Sequence, residues 1–394
     1  MHRSDMKEGF MKIEDLKKVA VIGAGDMGHG IAQVALMGGY EVVLCDINKS
    51  CLDRGIERIH QSLEKFAAKG KVDAALPGLV KNERLTGCTA ISEAVKDVDL
   101  VIEVAPEVPK IKHSVLKEID ENAPEHAVIF TNTSSMDITM LSEAVSRKDK
   151  LIGTHYFNPA VLMKLVEVIR GEHTSDETTQ FACDYVKKVG KELILANKCT
   201  PGFIANRIGA PVDVYRGVLL DYDKIDVADA DISMRNAGMK MGLYLLSDFC
   251  GLDVQCDGMR YYEKNLSPDY APPQTTLGMI AENKLGKKSG TGFYEWPERG
   301  LPELDETHFT GTFDADIPYF IEANEACKLV EEGICTFEDC DRAMIYGYNT
   351  PGPIEYIQKF EPEYVAKKLQ EIADKYDKKV FEPTETIKNG RYLR

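Results

Sequence analysis

Residues 19–28 read Val-Ala-Val-Ile-Gly-Ala-Gly-Asp-Met-Gly, a short β-branched run that ends in a Gly-x-Gly-x-x-Gly loop. Residues 31–36, Ile-Ala-Gln-Val-Ala-Leu, then begin a helical pattern. In such a strand-loop-helix unit Gly23 permits the tight turn, Gly25 lets a pyrophosphate approach the backbone, and Gly28 lets the helix pack against the strand. The phosphates would lie at the N-terminus of the helix. The stretch therefore predicts a dinucleotide-binding domain.

An acidic residue follows at the position where such a domain binds ribose. Asp46 stands at the end of the next apolar run and lies 23 positions after Gly23. A carboxylate at this place accepts hydrogen bonds from both hydroxyls of an adenosine ribose and repels a 2′-phosphate. We therefore predict NAD, and not NADP, as the cofactor.

Short apolar runs alternate with longer helical patterns as far as residue 197. Continuous runs of this kind are typical of strands covered on both faces, so we predict an α/β fold with a mainly parallel, Rossmann-type sheet. After Thr200-Pro201-Gly202 the runs stop, and helical periodicity continues to the C-terminus, which predicts an all-helical second part. The runs are residues 19–22, 41–44, 100–104, 128–130, 151–154 and 165–169.

The helical part contains an internal repeat. Asp231-Ile232-Ser233-Met234, followed by Met241-Gly242, returns 110 positions later as Asp341-Arg342-Ala343-Met344, followed by Pro351-Gly352. We interpret the repeat as a duplicated helical domain, against the alternative of a chance match between similar helices. The predicted divisions are an N-terminal extension (1–16), a nucleotide-binding domain (17–199), a helical domain (200–300) and a second, degenerate copy of it (311–394).

Composition excludes several classes of function. The chain has 394 residues and a formal net charge of −16, which disfavours nucleic acid and anionic membranes as partners. No segment offers about 18 uncharged apolar residues in succession, and the N-terminus lacks an apolar signal core. The ten cysteines form no CxxC pair and no metal-ligand spacing, so we expect reduced thiols, no metal site and a cytoplasmic location.

A His-Glu pair is the candidate for acid-base chemistry. His155 lies at the end of one apolar run, and Glu167 lies inside the next run, where a carboxylate needs a partner. If the two runs form a hairpin that turns through residues 158–162, these side chains face each other across the ladder. A carboxylate beside a histidine stabilises the imidazolium that forms when the histidine takes a proton. An ordinary ion pair is the alternative.

The helix after Asp46 carries a basic stripe. Four of its cations lie within about 60° of one face at 3.6 residues per turn, which suggests a phosphate site on an acidic protein. The alternative is a solvated helix face, since Glu57 and Glu64 lie alongside. The four cations are Arg54, Arg58, Lys65 and Lys69.

Taken together, these residues resemble the short-chain (S)-3-hydroxyacyl-CoA dehydrogenases, which include 3-hydroxybutyryl-CoA dehydrogenase. The likeness covers roughly residues 16 to 296. Besides the glycine loop, it rests on residues 132–135 (Asn-Thr-Ser-Ser), 155–159 (His-Tyr-Phe-Asn-Pro), 163–168 (Met-Lys-Leu-Val-Glu-Val), 200–207 (Thr-Pro-Gly-Phe-Ile-Ala-Asn-Arg) and 286–294 (Gly-Lys-Lys-Ser-Gly-Thr-Gly-Phe-Tyr).

The resemblance implies an NAD-dependent enzyme of fatty acid metabolism, including β-oxidation, that interconverts a 3-hydroxyacyl-CoA with its 3-oxoacyl-CoA. It implies that His155 exchanges the proton of the 3-hydroxyl, that Glu167 orients the imidazole, and that Ser134 and Asn206 hold substrate oxygens. The implied coenzyme A contacts are Ser62 and Lys69. The implied cofactor contacts are Gly23, Gly25, Asp26, Met27, Gly28, Asp46, Glu107, Lys112, Ser134, Asn158 and Lys288.

The chain departs from the family pattern at three places. Residues 240–243 read Lys-Met-Gly-Leu in place of a Pro-Met-Gly-Pro turn, and Val108-Pro109 replaces a more polar pair beside Glu107. Asp316 lies 110 positions after Asn206, so the second copy lacks the asparagine and we expect one active site. Family members commonly dimerise through the helical domain. We therefore consider both a homodimer and a monomer in which the second copy replaces the partner subunit.

Two other functions remain as alternatives. One is an NAD-dependent dehydrogenase of a free hydroxy acid with the same fold and His-Glu pair. A coenzyme A thioester that binds far better than the free acid would exclude it. The other is a non-catalytic NAD-binding protein, which NADH binding without any turnover would favour.

Overall fold

The computed structural model describes residues 10–393, so most of the predicted N-terminal extension (1–16) lies outside the described residues. The chain divides into two compact units between Phe203 and Ile204. No helix within residues 10–393 has the length and apolarity needed to cross a bilayer.

The first unit is built on a sheet in the order β3-β2-β1-β4-β5-β6-β7-β8. Neighbouring strands are parallel, except that β6 and β7 are antiparallel. The predicted α/β fold with a mainly parallel sheet is confirmed, and β3 and β8 are added to the six predicted strands. The strands are β1 Lys18–Ile22, β2 Glu41–Cys45, β3 Leu85–Cys88, β4 Leu100–Glu103, β5 Val128–Thr131, β6 Leu151–Tyr156, β7 Leu165–Ile169 and β8 Glu192–Ala196.

Helices connect the strands of this unit. The helix α1 is almost wholly buried, as its apolar sequence requires. The helix α2 is amphipathic, and the Asn48 side chain caps its N-terminus by accepting hydrogen bonds from the amides of Ser50 and Cys51. The helices are α1 Gly28–Met37, α2 Lys49–Ala68, α3 Leu76–Leu79, α4 Ile91–Val95, α5 Pro109–Asn122, α6 Ile138–Ser142 and α7 Asp176–Lys188.

The second unit is helical, apart from isolated bridges among residues 286–295. Two π-helical turns, Leu219–Asp223 and Met344–Tyr348, interrupt it. Its α-helices are α8 Ala205–Val218, α9 Val227–Asn236, α10 Leu243–Cys250, α11 Leu252–Asn265, α12 Gln274–Ala281, α13 Asp316–Glu331, α14 Phe337–Ala343, α15 Pro353–Ile357, α16 Pro362–Tyr376 and α17 Glu385–Lys388.

The internal repeat is visible in the structure because both copies contain the same contact between an aspartate and the first turn of a helix. The Asp231 carboxylate accepts hydrogen bonds from two backbone amides in the first turn of α10, both at 2.8 Å. The Asp341 carboxylate binds the first turn of α15 in the same way, at 2.8 and 3.3 Å. A Cβ added to Gly242 or Gly352 would lie 2.7 Å from the aspartate Cβ atom in either copy, so both turns require glycine. Aspartate and glycine recur at the predicted spacing of 110 residues.

One carboxyl of the second copy has a buried oxygen that receives no hydrogen bond from the described residues. Glu322 lies on α13, and its Oε2 atom is buried without a hydrogen-bond partner in the part of the chain that the structure describes. Burial raises the pKa of Glu322 from an ordinary value of 4.5 to about 8. The folded chain therefore holds this proton between pH 4.5 and 8 while the unfolded chain releases it, so the free energy of unfolding falls as pH rises through that window.

We expect Glu322→Gln to remove this pH dependence. The variant should exceed the original protein in unfolding free energy by about 2 kcal/mol at pH 8, because glutamine never carries the buried charge. The difference should shrink as pH falls toward 5. Urea unfolding followed by circular dichroism from pH 5 to 8.5 measures it, with Glu363→Gln on the exposed face of α16 as the control. A difference that stays constant over this range would contradict the prediction.

Candidate active site

The glycine loop leaves room for a phosphate at one glycine and none at the other two. Gly23 has a φ of +112°, and a Cβ there would lie 2.5 Å from the carbonyl oxygen of Val104. A Cβ on Gly28 would lie 1.8 Å from the Gly23 carbonyl oxygen. At Gly25 the same atom would meet nothing within 4 Å. The loop thus packs closely at its two ends and is open at its centre, which fits the approach of a pyrophosphate.

Asp46 is held beside this loop at the end of β2. Its carboxylate accepts hydrogen bonds from the Ala24 amide and the Asn48 amide, both at 2.9 Å. Ile22 at the end of β1 pairs with Cys45, which brings Asp46 next to the loop. The carboxylate is therefore fixed at the edge of the sheet, where an adenosine ribose would lie in a Rossmann site.

The other two predicted loop residues differ in their surroundings. Met27 is half-buried and directly precedes α1. Asp26 is exposed, and Arg58 on α2 donates a hydrogen bond to its carboxylate at 2.6 Å. One of the four cations of the basic stripe is therefore engaged by the glycine loop itself.

Glu107 organises the loops that follow β4 and β5. Its Oε1 atom accepts hydrogen bonds from the Thr133 hydroxyl at 2.5 Å and from the Ser134 amide at 2.7 Å. The Ser134 hydroxyl, which is exposed, lies 3.3 Å from the same oxygen. The structure therefore brings together two predicted site residues, Glu107 and Ser134, at the carboxyl edge of the sheet.

Lys112 lies beneath this cluster, and its side chain has no exposed surface. Its ammonium donates to both oxygens of Glu103 at 3.0 and 3.1 Å and to the Asn132 carbonyl at 2.8 Å, and it lies 3.5 Å from Glu107. Burial raises the pKa of the Glu103 carboxyl, although the Lys112 charge and the Thr131 hydroxyl oppose the rise. Lys112 is thus placed to support Glu107, and its predicted contact with the cofactor stays a prediction.

His155 and Glu167 face each other across the β6–β7 ladder in direct register. The Nδ1 atom of His155 lies 2.5 Å from the Oε2 atom of Glu167. Glu167 is fully buried, and the His155 side chain is 8% exposed. The predicted hairpin and the facing of the two side chains are confirmed.

This contact fixes which nitrogen of the imidazole can do chemistry. A carboxylate only accepts, so Nδ1 carries the hydrogen and Nε2 is left as the acceptor in the neutral ring. The rings of Phe157 and Phe203 lie 4.5 and 5.8 Å from the imidazole, measured between centroids. The aromatic rings limit the access of water to the His-Glu pair.

The turn of the hairpin is held by a half-buried lysine that sequence reasoning missed. The Lys191 ammonium donates to the carbonyl oxygens of Ala160 at 2.6 Å and Met163 at 2.7 Å. Burial lowers the pKa of Lys191 to about 8. Asn158, a predicted cofactor contact, is exposed in the same turn.

Two predicted residues lie in the second unit. Asn206 is half-buried in the first turn of α8, and the Tyr348 hydroxyl donates to its Oδ1 atom at 2.5 Å. Lys288 is 44% exposed, and its ammonium donates to the Asp253 carboxylate at 2.5 Å.

The predicted coenzyme A contacts lie on α2 or directly after it. Ser62 is half-buried in the helix, and Lys69 follows its last residue and is exposed. No group of histidine, cysteine, aspartate and glutamate within residues 10–393 is arranged to hold a metal ion.

Comparisons with known proteins agree with this geometry. The model of the 3-hydroxyacyl-CoA dehydrogenase NAD-binding domain matches residues 18–199. The model of the C-terminal domain of the same enzymes matches twice, at residues 202–296 and 320–390. The chain belongs to the 3-hydroxyacyl-CoA dehydrogenase family. It is therefore a member of a family of NAD-dependent oxidoreductases, and the double match agrees with the duplicated helical domain.

Individual relatives differ in how much of this dehydrogenase they share. Mitochondrial hydroxyacyl-coenzyme A dehydrogenase of Sus scrofa is 37% identical over 289 residues, which cover 71% of this chain and 91% of the relative. Fatty acid oxidation complex subunit alpha of Psychrobacter cryohalolentis is 34% identical over 90% of this chain, which spans 52% of that longer relative. The structure of 3-hydroxybutyryl-CoA dehydrogenase from Escherichia coli K12 has a TM-score of 0.87 at 25% identity and covers 95% of this chain and 98% of its own.

Proposed function

We propose that this dehydrogenase interconverts a short or medium (S)-3-hydroxyacyl-CoA, such as 3-hydroxybutyryl-CoA, with its 3-oxoacyl-CoA, such as acetoacetyl-CoA. The observation that carries the proposal is the His155–Glu167 pair. Its two residues lie in register on β6 and β7, in the same sheet that carries the glycine loop. Family membership supplies the substrate class, and the pair supplies a proton acceptor for it.

In the direction of oxidation, Nε2 of His155 takes the proton of the 3-hydroxyl group. Glu167 holds the ring through Nδ1 and stabilises the positive charge that develops on it. NAD, when bound, accepts the hydride from C3, so the C3–H and O–H bonds break as the C=O bond forms. In reduction the imidazolium returns the proton to the substrate oxygen.

Ser134 and Asn206 are proposed to hold the substrate oxygens. The Ser134 hydroxyl is exposed at the edge of the sheet, and Glu107 fixes the backbone that carries it. Three residues are proposed as the principal contacts of NAD: Gly25 with its phosphates, Asp46 with the adenosine ribose and Glu107 with the nicotinamide half. The further proposed contacts are Asp26, Met27, Asn158 and Lys288.

The coenzyme A moiety is proposed to bind along the basic stripe of α2. Within that stripe, Arg58 is bound to Asp26, and Arg54 donates to the side chains of Ser50 and Cys51. Lys65 and Lys69 make no ion pair with any residue of the described chain. These two lysines are therefore the stronger candidates for a phosphate, with Ser62 on the same helix.

We expect Lys69→Ala to raise the KM for acetoacetyl-CoA about 5-fold, because one exposed charge-assisted contact is lost, and to leave kcat and the KM for NADH unchanged. Lys187 is an exposed lysine on α7, and Lys187→Ala should change none of these three constants. Equal effects of the two variants would show that α2 carries no specific phosphate site.

The proposed function is tested by NADH oxidation with acetoacetyl-CoA, run beside free acetoacetate and beside NADPH. Oxidation of NADH by the thioester alone is the expected result. Turnover with free oxo acids and not with the thioester would favour the hydroxy acid dehydrogenase. NADH binding without turnover would favour a non-catalytic protein.

The second helical copy is proposed to take the place of a partner subunit, so that the chain acts as a monomer with one active site. This proposal is supported by the packing of α13 on α8 within one chain and by the aspartate at position 316. Analytical ultracentrifugation distinguishes a monomer near 43.9 kDa from a homodimer. We keep the cytoplasm as the proposed location, which agrees with ten cysteines that form no disulfide.

A further inference from the structure

The second helical copy contacts the first turn of α8 at two side chains. Tyr348, the last residue of the π-helical turn Met344–Tyr348, donates its hydroxyl to the Oδ1 atom of Asn206 at 2.5 Å. The next residue, Arg207, is buried and donates from Nε to Glu325 on α13 at 2.5 Å. These partners are 142 and 118 residues apart in the sequence. The second copy therefore holds the side chain of Arg207, beside Asn206, and also the amide of Asn206 itself.

The Tyr348 hydroxyl occupies the oxygen side of the Asn206 amide in this structure. A primary amide has one oxygen, which accepts, and one nitrogen with two hydrogens to donate. When Oδ1 accepts from the tyrosine hydroxyl, Nδ2 remains to donate to another group. A carbonyl or alkoxide oxygen on a substrate requires such a donor, whereas an amide turned by 180° would present an oxygen that repels it.

We propose that Tyr348 is a positioning residue of this dehydrogenase, which fixes the orientation of the Asn206 amide so that Nδ2 donates to a substrate oxygen. The proposal rests on the proposed function, because it takes Asn206 as a substrate contact. It gives the second copy an indirect part in the chemistry, through Asn206, although that copy has no asparagine of its own at the equivalent position.

The repeat supplies a matched control. Asp316 is the counterpart of Asn206, and the hydroxyl of Tyr356 donates to its carboxylate at 2.6 Å. A carboxylate has no hydrogen to donate, so the same kind of contact in the second copy orients nothing for a substrate. Removal of this hydroxyl tests for general effects of losing a tyrosine-to-acceptor hydrogen bond in the helical unit.

The experiment compares Tyr348→Phe and Tyr356→Phe in the full chain. Tyr348→Phe should lower kcat for acetoacetyl-CoA about 10-fold, because one hydrogen bond that orders the amide is lost, and should leave the KM for NADH and the melting temperature unchanged. Tyr356→Phe should leave kcat unchanged. In an Asn206→Ala background, the added Tyr348→Phe change should lower kcat by less than about 2-fold, since the group it orients is already absent.

The outcomes separate this proposal from the proposed function. Equal kcat values for Tyr348→Phe and the original chain would overturn the positioning role alone. A full 10-fold loss that persists without Asn206 would also overturn it, because Tyr348 would then act through another group. An original chain that oxidises no NADH with any 3-oxoacyl-CoA would overturn the proposed function and the positioning role with it.

Discussion

Replacing His155 with alanine is expected to lower kcat for acetoacetyl-CoA by about 10³-fold, because no other group would accept or return the proton of the 3-hydroxyl. Glu167→Gln should cost about 10²-fold, since an amide holds the ring without stabilising its positive charge. Neither change touches the glycine loop, so NADH should bind both variants as it binds the original chain. Steady-state kinetics and fluorescence titration with NADH measure the two effects separately.

His126→Ala provides the control for this pair of variants. His126 is exposed and lies 3.2 Å from Asp99, away from the β6–β7 hairpin, so its loss should leave kcat unchanged. A His155→Ala variant with kcat close to that of the original chain would show that the imidazole is not the proton acceptor.

The second large effect is expected for Gly25→Ala. The added methyl group should weaken NADH binding about 30-fold or more. The backbone there is open, so the added Cβ meets no protein atom within 4 Å and the fold should be retained. The same methyl would occupy the space through which a pyrophosphate approaches the backbone, and the lost charge-assisted hydrogen bonds account for the size of the effect.

Two other glycines make the Gly25→Ala result specific. Gly28→Ala should impair folding itself, because its Cβ would lie 1.8 Å from the Gly23 carbonyl oxygen. Gly78→Ala on α3, which meets nothing within 4 Å, should change neither folding nor NADH affinity. Thermal unfolding and NADH titration of the three variants distinguish these cases. Unchanged NADH affinity in Gly25→Ala would mean that the phosphates do not lie over this loop.

The nucleotide loop and the His-Glu pair can be predicted from the sequence because local rules govern both. A glycine pattern between a strand and a helix has few other uses. A carboxylate inside an apolar strand must have a partner, and the two-residue period of a strand shows where across a hairpin that partner lies. His155 and Glu167 meet in the register that this reasoning predicts.

The same rule applies to Glu103 at the end of another apolar run, yet the sequence does not identify its partner. Lys112 contacts Glu103 from α5. The loop that connects β4 to α5 is not paired with a strand, so no strand register predicts this contact. The edge strand β3 is not predicted, because its sequence Leu-Thr-Gly-Cys is half-exposed and has no continuous apolar run. The edge strand β8 does contain a short apolar run, at residues 193–196, which the prediction overlooks. Tyr348 could not be linked to Asn206 for a related reason, since only the packing of the two helical copies brings position 348 to position 206.

The central claim is that the chain reduces a coenzyme A thioester with hydride from NADH. The most direct test uses NADH with deuterium at both C4 positions, supplied with acetoacetyl-CoA, and analyses the product by mass spectrometry and chiral chromatography. We predict one deuterium at C3 of (S)-3-hydroxybutyryl-CoA for each NADH consumed. Consumption of NADH without label at C3, or no consumption while free acetoacetate is reduced, would contradict the claim.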